Sequence, residues 1–83
     1  MAGKNSVEKT VKEAIANQLS KDINEVKANS ILKDDLGMDS FSAVELIFEL
    51  KEKFGVEIPQ EDFSKIKKVS DITEYISNHI SEG

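Results

Sequence analysis

The chain has no cysteine, which excludes a disulfide framework, a thiolate metal site and a thiol nucleophile, and leaves a reducing compartment open to it. Its single histidine, His79, lies near the C-terminal end, where an imidazole usually serves as a helix-terminal cation or a solvated residue. A triad of Ser40, His79 and an aspartate would need a nucleophile turn, and GMDSF lacks the G-x-S-x-G pattern. The four glycines form no glycine-rich phosphate cradle. The opening MAGKNSVEKT is polar, so no signal peptide or membrane span is expected there. Apolar alternation long enough for a sheet is missing as well.

With 83 residues, 39% of them hydrophobic and 33% charged, the chain has room for one modest core and none for a second lobe. Residues 1–83 are expected to form a single domain, cytoplasmic and monomeric. The net charge of −5 is uneven. Met1 to Lys33 carries six lysines and four acids, and Lys65 to Gly83 three of each. Asp34 to Ser64 holds nine acids against two lysines, a net of −7. Such a surface repels nucleic acid and anionic membrane and attracts basic protein patches.

Apolar spacing divides the chain into helices and connectors. Val7, Val11, Ala14, Ile15 and Leu19 predict a first helix, with Ser6 as its N-cap and Glu8 in its first turn. A second spans Ser40 to Phe54, with Ala43, Ile47, Leu50 and Phe54 inward and Gly55 at the left-handed C-cap. Val56 to Pro59 reads as an extended link. Gln60 to Lys65 makes one or two turns anchored by Phe63 and Ile66. The last helix starts at the cap Ser70 and buries Ile72, Tyr75 or Ile76, and Ile80. Ser20 to Asp39 is a long first loop, which Ile23, Val26, Ile31, Leu32 and Leu36 pin to the helix ends. The expected fold class is therefore all-α, a small bundle of three main helices plus one short helix.

Asp34, Asp35 and Asp39 do not make an EF-hand, because that spacing puts Leu36 and Met38 at ligand positions and no glycine at the sixth. No intrinsic metal site is expected. Asp39 or Ser40 before an apolar run is an ordinary helix cap, and Ser42 with Glu45 fits a capping box. What exceeds a cap is the combination of Gly37 for a tight turn, a serine at a helix start, and an acidic helix beyond it.

The stretch DDLGMDSFSAVELIFELKEKFGVEIP, Asp34 to Pro59, resembles the acyl carrier proteins, whose hallmark is an Asp-Ser pair after a Leu-Gly turn. The likeness covers nearly the whole chain, through to the ending VSDITEYI. It implies that Ser40 carries phosphopantetheine, transferred from coenzyme A by a separate phosphopantetheinyl transferase with magnesium. Asp39 would help to hold the metal of that enzyme. The chain is then a substrate and no catalyst, its arm holding acyl groups as thioesters for acyl-transfer and chain-elongation enzymes of fatty acid, lipid or polyketide synthesis. Two departures stand out. Phe41 follows the serine where leucine is commonest, a choice also seen in aminoacyl carriers such as those handling D-alanine, and Ser42 and Lys51 replace acids. The alternatives are therefore an aminoacyl carrier and an unmodified carrier-like adaptor.

The resemblance also implies an acyl pocket between the second helix and the last two, lined here by Leu46, Ile47, Leu50, Ile58, Phe63, Ile66, Ile72 and Tyr75. Without cargo these residues are ordinary core. Glu45, Glu49 and Glu52 share one stripe of the second helix, with Phe41 and Phe48 beside it. Acids at that spacing usually mean a solvated face. Two aromatics among them point instead to a surface that basic partners read.

Overall fold

The structure, a computed structural model, describes residues 4–80; the first three residues of the polar opening lie outside it. Four helices follow in order: α1 (Lys4–Leu19), α2 (Ser40–Phe54), α3 (Gln60–Phe63) and α4 (Val69–Ile80), with a 3-10 turn at Ile23–Glu25. Among the described residues there is no strand, and Ile31 and Lys68 form one isolated antiparallel bridge. This is the all-α arrangement that the apolar spacing predicts: three main helices, one short helix and a long first loop.

α1 packs against both α2 and α4. It buries Val7, Val11, Ala14 and Ile15 completely or nearly so, one face at the helical repeat. The helix begins at Lys4, so Ser6 is not its cap and Glu8 is not in its first turn. Glu8 instead pairs with Lys12 at 3.3 Å, one turn on. Apolar periodicity starts only at Val7 and cannot register a first turn made of polar residues.

α2 starts and stops where expected. The Asp39 carboxylate caps it by accepting the Ser42 N–H at 2.8 Å, and Gly55 closes it in the left-handed region at φ 71°. Its inward stripe differs from the expected one. Leu46 and Leu50 are fully buried, while Ala43, Ile47 and Phe54 flank them half-buried. α1 meets α2 slightly to one side of the line the spacing picks out.

α3 is a single turn ending at Phe63, two residues short of Lys65; there the Ser64 hydroxyl donates to the Glu61 carbonyl at 2.8 Å. α4 begins at Val69, so Ser70 lies inside it, and the Ser70 N–H donates to the Ala28 carbonyl at 2.8 Å. The start is closed by Asp71, whose carboxylate accepts the N–H groups of Lys67 and Lys68, both at 3.1 Å. An acid reaching back from the first turn does there what a capping box does. Ile76, not Tyr75, enters the core. His79 stacks on Tyr75 with ring centroids 4.2 Å apart.

The first loop is packed. Val26, Leu32, Leu36 and Met38 are buried, and Ile23 and Ile31 half-buried. Its backbone is sewn to the start of α4: the Leu32 N–H donates to Lys67 O at 2.9 Å and the Val69 N–H to Ser30 O at 3.1 Å. Asp22 caps the 3-10 turn by accepting the Asn24 N–H at 3.1 Å. Three residues show no periodicity, so spacing gives no sign of that turn.

Candidate functional site

The end of the loop folds back before it delivers Asp39 and Ser40. The Asp35 carboxylate accepts the Ile31 N–H at 2.8 Å, the Gly37 N–H donates to Lys33 O at 3.1 Å, and the Met38 N–H to Leu32 O at 2.9 Å. Gly37 has φ 69°, and a Cβ there would meet nothing within 4 Å. Glycine is needed for the backbone angle and not for space. Met38 is drawn into the core, and the next two residues are left at the surface.

Ser40 is exposed, the first residue of α2. Its hydroxyl has no hydrogen-bond partner among the described residues. The positive end of a long helix lies directly behind it, which favours an anion bound there. Asp39 stands beside it, its carboxyl held below the usual carboxylate range by the Ser42 backbone N–H first and the Ser42 hydroxyl second. Asp39 is thus both a cap and a surface anion next to the hydroxyl. Among the described residues no three His, Cys, Asp or Glu side chains gather to hold a metal ion.

An open cleft of about 350 Å³ begins at Ser40. Ile31, Met38, Ala43, Phe63 and Ile66 give it apolar walls, and Lys33 and Lys67 stand at its sides. Of the eight residues expected to line an acyl pocket, the structure brings Phe63 and Ile66 to this cleft. Leu46, Leu50, Ile58 and Ile72 are fully buried core, and Ile47 and Tyr75 half-buried. Sequence reasoning did not place Met38, Lys33 or Lys67 at the site. Lys33 and Lys67 lie far apart in the chain and come to the same cleft because the Leu32–Lys67 backbone bond joins their segments.

On the outer side of α2, Phe41 and Phe48 are 72% and 66% exposed and are the exposed large hydrophobics among the described residues. Glu45 and Glu52 are exposed beside them. Glu49 is different: half-buried, it accepts the Gln18 side-chain N–H at 3.0 Å and lies 4.0 Å from Lys53. It faces α1, so the open stripe consists of Phe41, Glu45, Phe48 and Glu52.

Residues 9–76 match the family model described as the phosphopantetheine attachment site. An acyl carrier protein of Rickettsia bellii is 41% identical over 81 residues, covering 98% of this chain and 94% of that protein. One of Clostridium acetobutylicum is 46% identical over 72 residues, covering 87% and 94%. The fold is similar to that of a putative acyl carrier protein from Mycobacterium tuberculosis, with a TM-score of 0.79 and 34% identity over 86% of this chain and 95% of the other.

Proposed function

Because the chain belongs to the acyl carrier proteins, which bear phosphopantetheine, we propose that Ser40 is the residue that carries the arm, with residues 1–83 working as one carrier domain. The observation that supports this most is the exposed, unpartnered Ser40 hydroxyl at the start of α2, beside a cleft with apolar walls and two lysines. The surroundings fit the group: a surface hydroxyl to esterify, a helix start to favour its phosphate, and a groove to receive it. When bound, the arm supplies the thiol that this cysteine-free chain lacks, and acyl groups are held on it as thioesters.

What the chain's own residues do is limited and specific. Ser40 offers the acceptor oxygen. A serine hydroxyl is a weak nucleophile and no base is bonded to it, so its proton must leave to a group of the transferase. Asp39, ionised and next to the hydroxyl, is placed to help hold the magnesium of that enzyme. The open stripe Phe41, Glu45, Phe48 and Glu52 is the surface for basic partners, the transferase first and acyl-transfer and elongation enzymes afterwards. A cytoplasmic location accompanies this reading; among the described residues no helix is long and apolar enough to cross a membrane.

Intact-mass measurement after incubation with coenzyme A and a broad-specificity transferase tests the proposal. The wild-type chain should gain one phosphopantetheine and one titratable thiol, and Ser40→Ala should stay folded and gain neither. A mass gain that survives Ser40→Ala would place attachment at another of the nine serines. No gain in the wild type would favour an unmodified adaptor.

A further inference from the structure

We propose that Lys33 and Lys67 form a cationic clasp that docks the phosphopantetheine arm in the cleft beside Ser40, so that the arm rests on the protein between deliveries. The inference depends on Ser40 being the attachment residue. Both lysines border the cleft that starts at that serine. They come from segments held together by the Leu32–Lys67 backbone bond of 2.9 Å and the Ile31–Lys68 bridge, so the fold itself brings both residues to this cleft.

Their lack of partners is what points to a ligand. Neither lysine makes an ion pair among the described residues. The carboxylates close to them in sequence bond backbone groups instead: Asp35 accepts the Ile31 N–H, and Asp71 the N–H groups of Lys67 and Lys68. Asp34 pairs with neither lysine. Two ammonium groups are therefore free for an anion that arrives at Ser40. A phosphodiester on the Ser40 oxygen brings one negative charge to the end of the cleft, and Asp39 on the same rim repels it toward the lysines.

The rest of the cleft suits the rest of the arm. Met38, Ala43, Phe63 and Ile66 offer an apolar wall to its geminal methyl groups. The Ser64 hydroxyl, whose proton is given to the Glu61 carbonyl, keeps its lone pairs for an amide N–H of the arm. A cleft of about 350 Å³ is at the small end of ligand sites, roughly 300 to 1,000 Å³.

The test uses the full chain, isotopically labelled and loaded from coenzyme A, with loading verified by mass. Nuclear Overhauser contacts are measured from the methyl groups of the arm to the methyl groups of Met38 and Ala43. They should be present in the wild type at low salt, weaken as salt screens the lysines, and be lost in a fully loaded Lys33→Gln/Lys67→Gln variant. Each single substitution should lose part of the signal. Both side chains are exposed, so the amide spectrum away from the cleft should not change. Absence of the contacts in loaded wild type overturns the docking. Contacts that persist unchanged in the double variant overturn the role of the lysines. Failure to gain mass would refute attachment itself, and is read separately before any contact is measured.

Discussion

The Tyr75 hydroxyl donates a hydrogen bond of 2.9 Å to the Asp62 carboxylate, tying α4 to α3. α3 has only four residues, and its N-cap Pro59 offers no side-chain bond. A single turn has no stability of its own, so its position depends on such ties and on the burial of Phe63. Since Phe63 and Ile66 wall the cleft beside Ser40, the Tyr75–Asp62 bond holds one side of the candidate site in place.

Tyr75→Phe should therefore loosen α3 more than the rest of the bundle. The cost should be about 1 kcal/mol in denaturant unfolding, the usual net worth of one hydrogen bond. Amide exchange should quicken at residues 60–66 and stay close to wild type in α1 and α2. Uniform quickening throughout the chain would mean that α3 has no separate dependence on this bond.

The same bond makes an alkaline prediction. Burial first, then the hydrogen bond to Asp62 and its charge, raise the Tyr75 pKa above 10.0. A raised folded pKa means that the folded state holds its proton longer than the unfolded state. The associated stability is complete below about pH 10, the pKa of unfolded tyrosine, and is lost as pH rises through the higher folded value. The stability difference between wild type and Tyr75→Phe should therefore narrow above about pH 10. Ultraviolet titration of this one tyrosine should show the delayed ionisation directly.

Asp39 has two roles that substitution can separate. It caps α2 through the Ser42 N–H, and the bonds from Ser42 lower its pKa, so its share of stability is present above about pH 4 and lost as pH falls through the lower folded value. Asparagine caps a helix about as well as aspartate and alanine does not. Asp39→Asn should thus melt near the wild-type temperature and Asp39→Ala lower. Both should slow loading by the transferase, by about 10- to 100-fold if the carboxylate orients its metal. Normal loading of Asp39→Asn would leave the residue a cap and nothing more.

α2 was legible in the sequence at both ends because each end has a chemical marker, Asp39 for the cap and Gly55 for the left-handed turn. α1 and α4 were legible in their cores and not at their starts: polar first turns carry no apolar signal, and Asp71 closes α4 from inside the helix. Leu46 was left out of the inward stripe because Ile47 fits the same repeat, and only the packing of the other elements onto α2, α1 first, decides between them. Ser40 could be picked out from its local pattern. The cleft beside it could not, because Ile31, Lys33, Phe63 and Lys67 come from three segments whose register is set by long-range backbone bonds.

The partner surface yields the last prediction, and the structure changes how it should be tested. Glu49 is bonded to Gln18 and lies near Lys53, so reversing its charge would disturb the α1–α2 junction and confuse fold with recognition. Glu45 and Glu52 are exposed and make no such contact. Reversing both to lysine should slow association with the transferase by roughly tenfold at low salt, the lower end of steering effects, and flatten the salt dependence. Phe41→Ala should act mainly on dissociation, at a cost of about 2 kcal/mol or more if this ring anchors the contact. Helix content should hold in both, since neither face packs inward. Reversal of Glu8 would be a poor control because it breaks the pair with Lys12. Glu13 and Glu25 are exposed and lie outside the acidic segment, so their double reversal changes net charge equally without touching α2. If that control slows association as much as Glu45 and Glu52 do, overall charge governs the encounter and α2 presents no recognition face. If only the α2 pair has the effect, and Phe41→Ala then speeds release, acids steer the partner to this stripe and the ring keeps it there.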